Sequence, residues 1–240
     1  MLLIDRESPG PSTPSLASAP RPVPAPAADE RSLRTRNLRA RETLYRPGDP
    51  PLFVYEVARG SLMIHATLDD GRRQIVDFIR QGELCGFAAG AEYDATCIAC
   101  EPTTVVCRER AALWASPEQR NRFLKQVDRR VGALQDHALT LGRKNATERV
   151  ASFLLRFASD AGPGSCARRA GDEDARTIVL PAKRGEIGDY LGLAIETVSR
   201  ELTDLERSGL IQIGPGRSEI RINDLCRLCR AAKGDVCAGR

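Results

Sequence analysis

Glu196, Ser199 and Arg200 stand at positions i, i+3 and i+4, so on an α-helix they share one face. Their chemistry is complementary. A guanidinium offers two parallel N–H donors, a carboxylate accepts, and a hydroxyl does either. That set matches the edges of base pairs: Arg200 to guanine O6 and N7, Glu196 to the exocyclic amine of cytosine, Ser199 to several edges. A carboxylate among phosphates is electrostatically unfavourable, so Glu196 would serve discrimination rather than affinity. Glu196 and Arg200 could also form a surface ion pair of about 0.3–0.5 kcal/mol, which would orient the guanidinium. Thr197, Lys183 and Arg217 are candidates for phosphate contacts.

Such a trio needs a helix anchored on its other side. Arg184 to Leu191 reads as a short helix, Gly192 breaks it, and a second helix begins at Ala194 or Ile195. At ~100° per residue, Ala194, Val198, Leu202 and Leu205 fall on one face and the candidate base readers on the opposite one. Leu210–Ile213 and Glu219–Ile222 then alternate around Gly214-Pro215-Gly216-Arg217, a β-hairpin with Arg217 at its tip. The whole is a winged helix-turn-helix, whose second helix enters the major groove. Its charge gives no hint of this, since residues 181–221 carry six basic and seven acidic side chains. The pattern alone points to double-stranded DNA.

Upstream the period changes twice. Residues 1 to about 40 form a leader expected to be disordered; its first thirty residues carry prolines at 9, 11, 14, 20, 22, 24 and 26. Residues 41–116 show short alternating segments with turn residues between them, including Phe53/Tyr55/Val57, Leu62/Ile64 and a tight turn at Asp70-Gly71, which predicts a β-sandwich or barrel. Residues 117–143 predict one long helix started by Pro117. On it Leu124, Val127, Val131, Leu134, Ala138 and Leu141, spaced 3, 4, 3, 4, 3, make a narrow stripe suited to a two-stranded coiled coil, hence a homodimer. The DNA-binding unit is placed at 144–225, beginning with a helix from about Asn145 to Ser159, and 226–240 is taken as a C-terminal tail.

At 240 residues, with 42% hydrophobic and 28% charged residues and a net charge of +4, the chain fits two modest soluble domains. It has no apolar run of membrane-spanning length and no secretory leader, so a cytoplasmic protein with reduced thiols is expected.

The residues Leu180-Pro181 and Arg184-x-Glu186-Ile187-x-Asp189-Tyr190-Leu191-Gly192-Leu193-x-Ile195-Glu196-Thr197-Val198-Ser199-Arg200 resemble the DNA-binding signature of the FixK and FNR branch of the CRP/FNR superfamily. Leu141 to Leu154 resembles its hinge, and Pro47-Gly48 and Gly82-Glu83-Leu84-Cys85-Gly86-Phe87 resemble its sensor domain, so the likeness covers residues 40 to 225. It implies an α+β chain: an N-terminal β-roll of the cyclic-nucleotide-binding, jelly-roll kind, a dimerisation helix and a C-terminal winged helix-turn-helix. It implies further that Glu196, Ser199 and Arg200 read palindromic half-sites of the TTGA type, that the bound dimer contacts RNA polymerase, and that the genes serve low-oxygen, respiratory or nitrogen metabolism.

The same resemblance sharpens what is missing. Cyclic AMP binding needs an arginine after the Gly-Glu-Leu segment, yet residues 81–107 contain neither Arg nor Lys, and Tyr93 and Asp94 fall where an Arg-Ser pair would stand. An iron–sulfur cluster of the FNR type needs three closely spaced N-terminal thiolates, and residues 1–84 have no cysteine. Neither cofactor is expected. Cys97 and Cys100 would point to opposite faces of a strand. No metal site is assigned; Cys226, Cys229 and Cys237 are the best placed for a metal or redox site. The position matching a regulatory cysteine of some FixK relatives is Lys183. No nucleophile with its base, paired carboxylates or phosphate-cradling loop suggests an enzyme. Two alternatives remain open: a thiol- or metal-dependent redox regulator using the same DNA-binding domain, and a small-molecule-binding module acting through protein contacts.

Overall fold

The computed structural model of the chain describes residues 34–114, 116–158, 175–216 and 218–233. The proline-rich stretch, Arg217 and Cys237 lie outside the described residues.

Eight strands build the N-terminal unit: β1 (Arg34–Leu38), β2 (Thr43–Tyr45), β3 (Phe53–Arg59), β4 (Leu62–Thr67), β5 (Arg73–Ile79), β6 (Leu84–Cys85), β7 (Thr96–Ala99) and β8 (Thr103–Glu109). They form two antiparallel sheets, ordered β1-β8-β3-β6 and β2-β7-β4-β5, around a core that includes Leu38, Tyr45, Val57, Leu62, Ile64 and Val105. The turn at Asp70-Gly71 is as expected, with Gly71 at φ 83°. The first strand corrects the expectation of a disordered leader reaching residue 40. Only Leu38 of β1 is buried, so the segment has no apolar alternation to reveal it. It is held at the sheet edge by main-chain pairing with β8, in register from Arg34 opposite Cys107 to Leu38 opposite Thr103.

A short 3-10 helix (Ala111–Trp114) leads to α1 (Pro117–Arg143), whose bounds are those expected. Ser116 caps it, its Oγ accepting from the Gln119 amide at 3.1 Å, and Pro117 takes the first turn, where no N–H is needed. At 1.5 Å per residue its 27 residues span about 40 Å. Leu124, Val131 and Ala138 of the stripe are exposed, and Val127, Leu134 and Leu141 are half-buried. This chain's own domains therefore leave much of the stripe uncovered.

The C-terminal unit comprises α2 (Ala146–Ala158), α3 (Arg184–Leu191), α4 (Ile195–Arg207), α5 (Leu225–Lys233) and a small antiparallel sheet of β9 (Arg176–Val179), β10 (Ile211–Ile213) and β11 (Glu219–Ile222) in the order β10-β11-β9. A second correction concerns the segment from 226, set apart as a C-terminal tail with Cys226 and Cys229 on a helical turn: α5 is a helix packed onto the C-terminal unit. Leu225, Leu228, Cys229 and Ala232 recur at i, i+3, i+4 and i+7 and are all buried, in the same apolar cluster or, for Cys229, at 2% exposure. Among the described residues no helix is long and apolar enough to cross a membrane.

The two units do not keep separate cores. Met63, Ile75, Phe78 and Cys100 of the roll belong to the same buried cluster as Phe153, Leu154, Tyr190, Leu191, Leu202 and Ile220. Met63 and Phe78 face each other across the β4–β5 pair, and both are fully buried because the C-terminal unit covers the outer side of that sheet. Phe78 makes edge-on contacts with Phe153, Phe157 and Tyr190 at centroid distances of 5.9, 6.0 and 5.3 Å.

Candidate nucleic-acid interface

The turn between α3 and α4 is set by two glycines. Gly192 ends α3 in the left-handed conformation at φ 63°, and at Gly188 a Cβ would lie 2.5 Å from the Leu193 carbonyl oxygen, so only glycine lets the turn fold back this closely. From there α4 buries Val198, Leu202 and Leu205, as the spacing requires. Ala194 does not join them. It is the N-cap, with extended backbone and an exposed side chain, and Glu201 takes the remaining buried position.

Glu196, Ser199 and Arg200 are all exposed on the opposite side of α4. Ser199 Oγ donates to the Ile195 carbonyl at 2.8 Å, which leaves its lone pairs free to accept. The expected Glu196–Arg200 pair is not what holds the guanidinium. Arg200 Nε instead lies 3.8 Å from Glu201 Oε1, with the arginine side chain 67% exposed. Glu201 is itself fixed from behind, because Thr147 Oγ1 donates to its other oxygen at 2.6 Å. A chain of contacts thus runs from the start of α2 to a candidate base reader. Lys183 is exposed at the N-cap of α3, where its amide donates to Glu186 Oε2 at 2.8 Å, and Thr197 is half-buried.

Residues that the sequence did not mark hold this surface in place. Arg149 donates to the carbonyls of Leu141 at 2.7 Å, Lys144 at 2.9 Å and Leu191 at 3.0 Å, pinning the end of α1 to the end of α3. The roll grips the other side of α3. Arg41 is bidentate on Glu186, Arg73 Nε and Nη2 reach Asp189 Oδ2 at 2.9 and 2.5 Å, and Gln74 Nε2 donates to the Tyr190 carbonyl at 3.2 Å. Burial opposes ionisation of Glu186, yet the Arg41 guanidinium and the Lys183 amide hold its pKa below the usual carboxylate value. Beneath lies Asp77, its side chain 5% exposed, accepting from Arg156 and lying 3.5 Å from Arg130 Nη2. Arg156 also donates to Tyr190 Oη at 3.0 Å and to the Phe78 carbonyl at 3.1 Å. His137 of α1 stacks on Tyr190 at 4.0 Å, and burial together with nearby Arg156 lowers its pKa to about 4. With α3 clamped on its acidic side, the polar face of α4 stays open.

Inside the roll, the position expected for a phosphate-binding arginine holds Tyr93. Its ring is 4% exposed and stacks on Tyr45 at 3.8 Å, and its hydroxyl donates to the Phe53 carbonyl at 3.1 Å. An anion there would meet an aromatic plug, although Arg110 lies near enough to act on Tyr93. The thiols of Cys97 and Cys100 are buried as well. Cys97 faces the roll core and Cys100 the junction with the C-terminal unit, the opposite directions expected of a C-x-x-C on a strand. Burial raises both thiols, Cys100 to about 12, so they are protonated at neutral pH and poor nucleophiles. Cys229 is 2% exposed and Cys226 half-buried on α5.

Comparison with known proteins gives two family matches: a Crp-like helix-turn-helix domain over residues 148–231 and a cyclic nucleotide-binding domain over residues 35–117. The nitrogen fixation regulation protein FixK of Rhizobium meliloti (strain 1021) is 34% identical over 195 residues, 81% of this chain and 85% of that protein. The transcriptional activator protein FnrA of Stutzerimonas stutzeri is 36% identical over 217 residues, 87% of this chain and 84% of its own length. Among solved structures, FixK2 from Bradyrhizobium japonicum superposes with a TM-score of 0.72 at 31% identity, covering 86% of this chain and 99% of that one.

Proposed function

The chain belongs to the CRP/FNR family of DNA-binding transcription regulators, related to its FixK and FNR activators, and we propose that it activates transcription as a homodimer bound to TTGA-type palindromes. Glu196, Ser199 and Arg200 read bases, and Thr197, Lys183 and Arg217 contact phosphates. The stripe from Leu124 to Leu141 pairs with its copy, so that two recognition helices meet two half-sites about one helical turn apart. The bound dimer contacts RNA polymerase in the cytoplasm, at genes of low-oxygen, respiratory or nitrogen metabolism; the names of the FixK relatives support the last of these. The carrying observation is the exposed Glu196/Ser199/Arg200 face above buried Val198, Leu202 and Leu205.

No cyclic nucleotide is required. Two features support this: Tyr93 fills the roll where a phosphate partner would stand, and the C-terminal unit is already seated with its reading face open. Selection from random duplexes, without added effector, tests the reading. Wild type should enrich TTGA palindromes and Arg200→Ala should lose the preference at one base pair per half-site, about 1–3 kcal/mol each. Enrichment of the same palindrome by both proteins would remove the role given to Arg200.

A further inference from the structure

Glu201 is a carboxylate at a position that the helix period gives to packing. It stands three residues after Val198, one before Leu202 and four before Leu205, on the buried side of α4, and is 9% exposed. Burying a carboxylate there is costly unless hydrogen bonds and a counter-charge satisfy it. Among the described residues it has two partners: Thr147 Oγ1 donates to Oε2 at 2.6 Å, and Arg200 Nε lies 3.8 Å from Oε1.

The anchor of this link is fixed. Thr147 lies in the first turn of α2, whose start is closed by a reciprocal pair of bonds, the Asn145 amide to Glu148 Oε2 at 2.9 Å and the Glu148 amide to Asn145 Oδ1 at 3.0 Å. Val150, Phe153 and Leu154 then seat α2 in the same buried cluster as Val198, Leu202 and Leu205. The carboxylate is therefore held from a second helix. Arg200 precedes it in sequence and leaves α4 about 100° away, with its side chain 67% exposed, so the guanidinium must lean back for Nε to come this near. Its Nη1 and Nη2 have no hydrogen-bond partner among the described residues, and together they can offer two parallel donors.

We infer that Glu201 is a positioning residue that sets base discrimination: fixed by Thr147, it holds Arg200 through Nε so that the Nη pair meets guanine O6 and N7 end-on. It also keeps the guanidinium from turning to a backbone phosphate. The inference rests on the role given to Arg200 above and adds what orients that side chain. Its consequence is discrimination rather than affinity, because a free guanidinium is drawn to phosphates of any sequence, whereas an oriented one gains only at the matching base pair.

The test is anisotropy titration of the full chain on three duplexes: the selected palindrome, the same palindrome altered at the base pair whose preference Arg200→Ala loses, and a random duplex. Glu201→Gln keeps the size of the side chain and an oxygen for Thr147, but sets an amide where Arg200 needs a carboxylate oxygen. It should lower the ratio of selected to altered affinity about three- to tenfold per half-site, while binding to the random duplex does not weaken. In an Arg200→Ala background the same substitution should leave the ratio unmoved. Thr147→Ser keeps the donor and should match the wild type. Thr147→Val removes it and should shift the ratio in the same direction as Glu201→Gln; lying at the exposed start of α2, it keeps the test valid if the Glu201 variant fails to fold. An unchanged ratio in Glu201→Gln, an equal loss on all three duplexes, or the same shift without Arg200 overturns the positioning role. Wild-type behaviour of Thr147→Val overturns the anchoring. Failure of the function proposed above is seen separately, as no palindrome enriched by the wild type in the effector-free selection.

Discussion

Asp77→Asn tests whether the two units are one cooperative body. The carboxylate is almost fully buried, takes its hydrogen bonds from the Phe78 amide at 2.9 Å and from Arg156, and has Arg130 at 3.5 Å. Both guanidiniums are themselves mostly buried, with side-chain exposures of 21% and 18%. Neutralising Asp77 leaves two cations without their counter-charge, a cost of about 3–5 kcal/mol for a broken buried pair. Arg156 keeps Tyr190 Oη and the Phe78 carbonyl, so the lower end, about 3 kcal/mol, is expected. At an m value of about 3 kcal/mol/M the urea midpoint should fall by about 1 M. Trp114, the only tryptophan, reports the start of α1, and far-ultraviolet dichroism reports the whole chain. The two should coincide in the wild type and separate in the variant. Adding Arg156→Met removes one stranded charge and should recover much of the loss. A midpoint shift below about 0.3 M, or additive losses in the double variant, would refute the role given to Asp77.

Leu134→Asp sets two carboxylates against each other in the seam of a dimer, which should raise the dimer dissociation constant at least about 100-fold by sedimentation, with helix content unchanged. His137 should make the protein acid-labile. Its folded pKa of about 4 lies below the unfolded value, so protons bind preferentially to the unfolded chain, and stability falls as pH drops from about 6.5 towards 4, by about 2–3 kcal/mol in all. Urea midpoints for His137→Gln should lack that slope, and an identical slope in both proteins would assign it to other groups. Glu201→Ala strands the Thr147 hydroxyl and frees Arg200, so about 1–3 kcal/mol of stability should be lost. Its affinity for the palindrome should fall more than its affinity for random duplex, as measured by anisotropy.

Helices were legible because their evidence is local. The period of Leu124 to Leu141, with Pro117 at one end, bounded α1, and Gly192 divided α3 from α4 by the left-handed turn it permits. The exposed polar face of α4 followed from the same arithmetic, since Val198, Leu202 and Leu205 fix which way Glu196, Ser199 and Arg200 must point. The helix at 225–233 obeys that rule too, in the spacing of Leu225, Leu228, Cys229 and Ala232. By contrast β1 had to be found by its partner, because an edge strand with four exposed residues is held by main-chain bonds that any side chains allow.

The seating of the C-terminal unit was decided only in three dimensions. Arg41 and Glu186 are 145 residues apart, Arg73 and Asp189 are 116, and nothing in a charged residue's neighbours says which distant surface will cover it. Met63 and Phe78 sit on the side of a sheet that local alternation would leave to solvent. Composition and period determine which faces are apolar, since that depends on backbone geometry repeated every few residues. Which apolar faces meet, and which charges are then forced to pair, depends on the shape of the assembled whole.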